Sequence, residues 1–217
     1  MLKEKRYKET FEKISQEKRD KIIQIAVNEF AGKGFRGANI NVIAKKAGIS
    51  IGSMYNYFAT KEDLFLTCMD EGYKLLEEAI GAVSLDNKDL FGKLEELVRA
   101  AQKFSRKYPE IHQLYLDATT EGLSDLSKQV SRKIENISAE FYRAEIQHAK
   151  EQGLVREDID IRVATFCIDN IILLTQFSNT SEYFKERLKI FVGEDALEDD
   201  ERMVQGIMQF FRGALSA

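Results

Sequence analysis

The 217-residue sequence has no tryptophan, one proline, two cysteines and two histidines. Cys68 and Cys167 stand far apart inside helical patterns, which excludes a disulfide scaffold and a CxxC metal or redox motif, and both are expected as core thiols. His112 and His148 have no second imidazole or carboxylate at metal-ligand spacing, so no metal site is expected. No glycine-rich phosphate loop, HExxH, paired catalytic carboxylates or Ser/His constellation is present, which argues against an enzyme and leaves no cofactor to place. No run approaches the ~20 apolar residues of a membrane span. The first residues, Met-Leu-Lys-Glu-Lys-Arg-Tyr-Lys, lack a secretory apolar stretch, so a cytoplasmic protein is expected. Sustained alternation of apolar and polar residues with turn signals is also missing, which excludes most β architectures.

What is there is charge, unevenly placed. Residues 1–60 hold twelve Lys/Arg against six Asp/Glu, while the other residues hold twenty against thirty. A basic front on an acidic body fits a polyanionic partner met by one end only.

Apolar residues recur every three or four positions almost throughout, so the fold class is all-α. A first helix is read from Glu17 to Gly32, with Ile22, Ile23, Ala26, Val27 and Phe30 on one stripe, ended by Gly32 and Gly34. Asn39–Ala47 and Ser50–Phe58 are two short helices. Thr60-Lys-Glu-Asp63 matches a capping box and opens a helix to about Ile80. Further helices are expected near 88–107, 109–118, 123–152, 158–179, 182–192 and 197–215, with Pro109 at a first helical position and Gly153 at a helix end. Residues 1–63 read as one domain with a lead segment at 1–16, and residues 64–217 as a second. The lead segment fits either an arm reaching a minor groove or an extension of the first helix.

Asn39 to Phe58 carries the chemistry. Two short helices are joined by Ala47-Gly48-Ile49-Ser50, where glycine can take positive φ, Ile49 can plug the angle and Ser50 can cap the second helix: the build of a helix-turn-helix. Ile49, Met54 and Phe58 anchor the second helix. Ile51, Gly52, Ser53, Tyr55 and Asn56 are left to face outward from the half that such motifs push into a major groove. Asn56 can bond adenine, Ser53 can meet several base edges, Ile51 can pack on a thymine methyl, and Gly52 lets backbone approach closely. Tyr55 and Tyr57 can place hydroxyls on phosphates, although each can equally pack on a neighbouring helix, Tyr57 more readily. Lys61 sits where the helix dipole disfavours a cation, a penalty that a bound phosphate would reverse. Asn39 is read as a cap that can touch a phosphate, with Lys45 and Lys46 supplying charge nearby.

These residues carry a resemblance. Gly34-Phe35, Ile43-Ala44, Ala47-Gly48-Ile49-Ser50, Gly52, Tyr55, Tyr57-Phe58 and Lys61-Glu62-Asp63-Leu64 resemble the N-terminal signature of the tetracycline-repressor (TetR) family. The match spans roughly residues 17–64. One departure is Ala38-Asn39, where the family usually has two threonines, so Asn39 must serve in place of their hydroxyls. Gly153–Asp160 resembles, more weakly, the turn before the dimerisation helices. The resemblance implies a three-helix DNA-binding domain followed by a helical ligand-binding and dimerisation domain.

In the second domain, helix 123–152 carries Leu126, Val130, Ile134, Ile137, Phe141 and Ala144 on one stripe and Tyr142, Ile146 and Ala149 on another. Helix 158–179 is apolar over most of its circumference, which implies burial against more than its own domain, most simply a partner subunit. Ile168, Ile171 and Leu174, with Val204, Ile207, Met208 and Phe211 of the last helix, are the candidate dimer residues, and the resemblance implies a four-helix intermolecular bundle. Arg162, Thr165, Asp169 and Gln176 share a stripe, so Asp169 reads as a polar-face residue. Asn170 lies on the line of Val163, Phe166, Leu173 and Phe177 and is a candidate polar hook in an apolar pocket, or else a satisfied amide in the dimer interface. Phe104, Tyr108, Tyr115, Phe141, Phe166 and Phe177 are candidate lining for an apolar or aromatic ligand.

The expected function is a ligand-responsive, DNA-binding transcriptional regulator, a homodimer on a palindrome. The resemblance implies repression relieved by ligand. A helical protein-interaction adaptor is the alternative, and an enzyme in the second domain a more distant one.

Overall fold

The computed structural model describes residues 5–82, 85–119 and 124–217, without the side chains of 124–127, 129–134 and 137. The helices are α1 (Glu9–Glu12), α2 (Gln16–Gly37), α3 (Ile40–Ala47), α4 (Ile51–Tyr57), α5 (Lys61–Gly81), α6 (Leu90–Lys107), α7 (Pro109–Ala118), α8 (Ser124–Glu151), α9 (Ile161–Ser178), α10 (Glu182–Val192) and α11 (Asp200–Leu215). Among the described residues no strand occurs, only an isolated bridge between Val155 and Ser216. The chain divides by packing into two compact units, residues 1–75 with 113–130, and residues 76–112 with 131–217.

In the first unit α2, α3 and α4 pack in succession around Ile22, Ala26, Phe30, Ile43, Ala44, Met54, Phe58 and Phe65, all buried. The Phe65 ring meets the rings of Phe30 and Phe35 at 5.1 and 5.2 Å, both edge-on. Helix α2 does not stop at Gly32. It continues to Gly37 through a break at Gly34, whose φ of 68° and ψ of 164° are non-helical. Glycine alone holds that angle cheaply. The break aims the Phe35 N–H at the Asp117 carboxylate of α7, 3.0 Å away.

The described part of the lead segment, residues 5–15, does not extend α2. It forms the separate turn α1, which packs on α4. Phe11 is buried there, 5.6 Å from the Tyr57 ring and 4.8 Å from the Phe58 ring.

The second unit is built on α6, against which α9 and α11 pack, with α10 on α9. Leu94, Val98, Ala101, Ile146, Ile168, Ile172, Val204 and Phe211 share its core. Burying each of these side chains other than Ala101 is worth about 1.5–3 kcal/mol. Lys93 pairs with Glu145 at 2.7 Å, and Arg99 grips Glu201 with two hydrogen bonds of 2.6 and 2.9 Å.

Helix α9 departs from the expectation that no run comes near membrane-crossing composition. Its 18 residues have mean hydropathy 1.2. It nevertheless buries one side in its own unit, through Ala164, Ile168 and Ile172. Its excess apolar surface lies opposite, at Val163, Phe166 and Leu174. Cys68 is buried, but Cys167, expected in the core, is exposed on this outward side. The stripe of Leu126, Val130, Ile134 and Ile137 lies outside the described side chains; Ala144 of the same stripe is exposed, whereas Tyr142, Ile146 and Ala149 are buried.

Candidate nucleic-acid interface

Backbone chemistry fixes the direction of α3 and α4. The Asn39 side chain accepts from the Asn41 N–H at 2.9 Å and caps α3. At the other end Gly48 adopts a left-handed φ of 73°, and the Gly48 and Ile49 N–H groups return to the carbonyls of Lys45 and Ala44 at 3.1 and 3.0 Å. This is a glycine stop that satisfies otherwise orphaned carbonyls. Ser50 then caps α4, its hydroxyl accepting from the Ser53 N–H at 3.0 Å and lying 2.9 Å from the Ser53 hydroxyl. Helix α4 has seven residues, too short to persist alone, so its orientation is imposed by packing.

That packing turns Met54, Tyr57 and Phe58 inward and leaves Ile51, Gly52, Tyr55 and Asn56 exposed, with Ser53 half-buried. Tyr55 is 49% exposed. The outward set carries no charge and offers an amide, hydroxyls, a β-branched methyl and an open backbone. Such a surface can read base edges in a groove.

The lead segment holds α4 from its far end, a role that the sequence reading missed. The Lys8 ammonium donates to the Tyr55 carbonyl at 2.8 Å and the Lys8 N–H to the Tyr57 carbonyl at 2.9 Å, while the Thr10 hydroxyl donates to the Asn56 carbonyl. The last turn of a helix leaves carbonyls without partners inside the helix, and these donors satisfy them. The signal that could have found this is the Tyr7–Phe11 spacing, one turn of helix, directly ahead of the Ser15 cap.

Three of the expected contact residues are engaged within the protein. Tyr57 is packed on Phe11 rather than presented outward, because α1 covers it. Lys46 is engaged with the buried carboxylate of Glu29 at 2.9 Å, which would otherwise be an uncompensated charge. Lys61 donates to the carbonyls of Arg36 and Ala38 at 3.2 and 3.1 Å and lies 4.9 Å from the centre of the Phe35 ring. Its charge therefore sits at the carbonyl end of α2, where a cation is favoured, and this accounts for a lysine in the first turn of α5 without an anion. Lys45 is exposed. The capping box reads as expected, with Asp63 accepting from the Thr60 N–H at 3.1 Å and Thr60 accepting from the Asp63 N–H at 3.0 Å.

Residues 22–68 match the model of the family described as bacterial regulatory proteins, tetR family. Over this segment the chain is similar to the TetR family. It is a DNA-binding transcriptional regulator and not an enzyme. Among the relatives of this chain, the HTH-type transcriptional repressor NicS of Pseudomonas putida is 29% identical over 154 residues, 70% of this chain and 73% of that protein. The HTH-type transcriptional repressor SCO4008 of Streptomyces coelicolor is 26% identical over 174 residues, 80% and 82% of the two chains. The fold is shared with a TetR-family regulator of Chloroflexus aurantiacus, with a TM-score of 0.73 at 21% identity over 97% of this chain and 99% of that one.

The remaining candidate residues are distributed differently from expectation. Of the proposed dimer set, Ile168, Val204, Ile207, Met208 and Phe211 are buried in the core of their own unit, whereas Ile171 is half-buried and Leu174 exposed. The reason is rotational. On α9, apolar nearly all round, periodicity cannot say which side faces its own core, while the single apolar stripe of α11 is spent on that core. Of the candidate pocket residues, Phe166 is 68% exposed, and Asn170 on the same side donates to the Phe166 carbonyl at 2.7 Å. Phe104 packs on Tyr108 and the His112 ring at 5.0 and 5.5 Å, Phe141 on Tyr142 at 5.6 Å, and Phe177 on Phe184 at 5.4 Å. Tyr115 falls in the first unit. The stripe of Thr165, Asp169 and Gln176 is not a solvated face: Thr165 and Gln176 are buried and Asp169 half-buried.

Proposed function

We propose that this regulator is a cytoplasmic repressor that reads a palindromic operator as a homodimer, with residues 1–63 meeting DNA and residues 64–217 sensing a small molecule and dimerising. The single observation that carries the DNA-reading part is the outward face of α4, Ile51, Gly52, Ser53, Tyr55 and Asn56, held at both ends by caps and by α1. Asn56 bonds an adenine edge, Ile51 packs on a thymine methyl and Tyr55 meets a phosphate. Asn39, Ser50, Lys45, Lys46 and Lys61 lie at the rim, the last two only by exchanging their present partners for phosphate. Two copies of α4 enter successive major grooves about 34–36 Å apart.

Dimerisation uses the outward faces of α9 and α11. Val163 and Phe166 are 57% and 68% exposed, and Phe210 is 60% exposed beside the exposed small residues Gly206 and Gly213. Exposed apolar surface of this kind supports an interface, and the two glycines allow a partner helix to approach closely. The interface therefore comprises Val163, Phe166, Leu174 and Phe210 in place of the buried residues first read from the sequence. Ligand binding in the second unit, beside Phe104, Tyr108, Phe141 and Phe177, favours a dimer geometry in which the groove spacing no longer fits. A coupling of about 1–3 kcal/mol is enough for that switch. The names of the two relatives, both repressors, support the sign of regulation.

The test is fluorescence anisotropy of the purified protein on DNA upstream of its own gene, against scrambled DNA, across a salt series. Binding at least ~10³-fold tighter to the upstream DNA and falling steeply with salt is the expected result. Equal, weak binding to both DNAs, and to a wider selection of sites, contradicts it.

A further inference from the structure

One face of α6 carries Arg99, Gln102, Lys103, Arg106 and Lys107, at the three- and four-residue spacings that line up side chains along a helix. Together with Asp200 of α11 they line a pocket of about 480 Å³ in the second unit. Four cations of the lining therefore face one carboxylate. Like charges at these spacings repel, so the stripe weakens α6 unless anions answer it.

Protein carboxylates answer only the two arginines. Arg99 is gripped by Glu95 and Glu201. Arg106 donates from Nη2 alone, to the Leu197 carbonyl at 2.6 Å and to Asp200 at 2.5 Å. Its Nε and Nη1 groups have no partner among the described residues. Lys103 stands between the two arginines, exposed, and among the described residues it makes no ion pair or hydrogen bond. The Lys107 ammonium lies over the Tyr108 ring, 4.9 Å from its centre.

Gln102 is an independent sign of a ligand. It is 4% exposed, yet among the described residues its side-chain amide has no hydrogen-bond partner. An amide so nearly withdrawn from water ordinarily finds one. The buried Ser105 beside it shows the usual outcome: its hydroxyl donates to the Gln102 carbonyl and accepts from the Asn179 amide, both at 2.9 Å. Gln102 lines the pocket, so a molecule bound there supplies the partner that the protein does not.

We propose that this pocket binds a small phosphate-bearing anion with two or more negative charges, held by Lys103, by the unused Nε and Nη1 groups of Arg106 and by the Gln102 amide. The groups on offer are donors, and the carboxylate of the lining is spent on Arg106. A guanidinium edge takes two oxygens at once. A tetrahedral phosphate keeps further oxygens for an ammonium and an amide, whereas a carboxylate has only two to share. Arg99 and Arg106 are seven residues apart, a rise of about 10 Å along α6, so a diphosphate spans more of the stripe than a single phosphate does. The bound anion also relieves the repulsion along α6 and so stabilises the second unit. Binding here is independent of the DNA-reading and dimerisation roles.

The experiment uses the full chain at pH 7.5 with EDTA, at an ionic strength held constant with sodium chloride. Sodium pyrophosphate, inorganic phosphate and succinate are the probes. Thermal unfolding and calorimetric titration are read for wild type, Lys103→Met, Gln102→Leu and, as control, Lys33→Met at an exposed lysine of α2. Pyrophosphate is expected to raise the melting temperature of wild type and Lys33→Met alike, and to bind both more tightly than phosphate or succinate does. Its affinity should fall about fivefold or more in Lys103→Met and in Gln102→Leu. Neither pocket variant removes a contact within the protein, and far-ultraviolet circular dichroism verifies that both fold. No shift of the wild type by pyrophosphate, equal affinity for wild type and either pocket variant, or succinate bound as tightly as pyrophosphate overturns the proposal. Pyrophosphate held only by the basic first sixty residues would give that equal affinity.

Discussion

Helices α4 and α9 are the two surfaces on which function is argued, and they were legible to very different degrees. Helix α4 is seven residues long and mostly polar, yet its outward face follows from the sequence. Helix α9 is 18 residues long and strongly apolar, yet its inward and outward faces were misassigned. The difference is that α4 is framed by groups with directional demands: a left-handed glycine at 48, a serine cap at 50 and the buried anchors Met54 and Phe58. Apolar contact has no direction. A helix with hydrophobic residues on both sides can be rotated by half a turn without breaking any pattern that a sequence shows.

The comparison breaks most easily at two neighbouring phenylalanines of α11. Phe211 lies in the core and Phe210 on the outward face. Phe211→Ala is expected to cost about 3–5 kcal/mol in chemical denaturation, the usual range for a buried aromatic. Phe210→Glu, or Phe166→Glu on α9, should leave the helical circular dichroism intact and turn dimer into monomer in analytical ultracentrifugation. If Phe210→Glu unfolds the chain while Phe211→Ala is silent, the assignment of faces is reversed.

On α4 the corresponding pair is Asn56, outward, and Ser50, the cap. Asn56→Ala should lose about 1–3 kcal/mol of specific DNA binding with no change in melting temperature. Gly34→Ala comes next. It is expected to destabilise the first unit by about 1–2 kcal/mol, because φ is 68° there and an added Cβ would stand 3.1 Å from the Asp117 carboxylate. Ser50→Ala should cost about 1 kcal/mol of stability, the ordinary worth of a helix cap, and weaken DNA binding only through the loosened α4.

The smallest expected effect is on pH dependence. Burial lowers the pKa of His112 below the ordinary imidazole value of 6.5, outweighing its hydrogen bonds with the Tyr108 carbonyl and Gln176. Its folded-state pKa is thus depressed relative to the unfolded chain. The neutral form contributes stability above pH 6.5 that is lost as pH falls from there through the folded value. His112→Gln should flatten the stability profile of the chain over that acid range in denaturant titrations. An unchanged profile would mean that the ring is not the group being titrated.

Much of the fold was readable from particular signals. Pro109 marks the start of α7, Gly153 the end of α8 and Thr60–Asp63 the start of α5, all through backbone preferences that the side chains enforce. The bend at Gly34 was read as a stop because a positive-φ glycine ends a helix unless tertiary partners resume it, and here the Asp117 carboxylate captures the next N–H. The engagement of Lys61 with α2 and of Lys46 with Glu29 depends on neighbours 17 to 25 positions away. No local pattern shows such distances. The same holds for α1, whose seat on α4 depends on the buried contact of Phe11 with Tyr57 and Phe58.

The central claim is that α4 reads DNA sequence. It is tested most directly by selecting binding sites from a random duplex pool with the wild type and with Asn56→Ala in parallel. The account predicts that the wild type enriches an inverted repeat whose half-site centres lie one helical turn or a multiple of it apart, and that Asn56→Ala loses the preference at a single position in each half-site. A pool that shows no enrichment, or one enriched identically by wild type and Asn56→Ala, would contradict it.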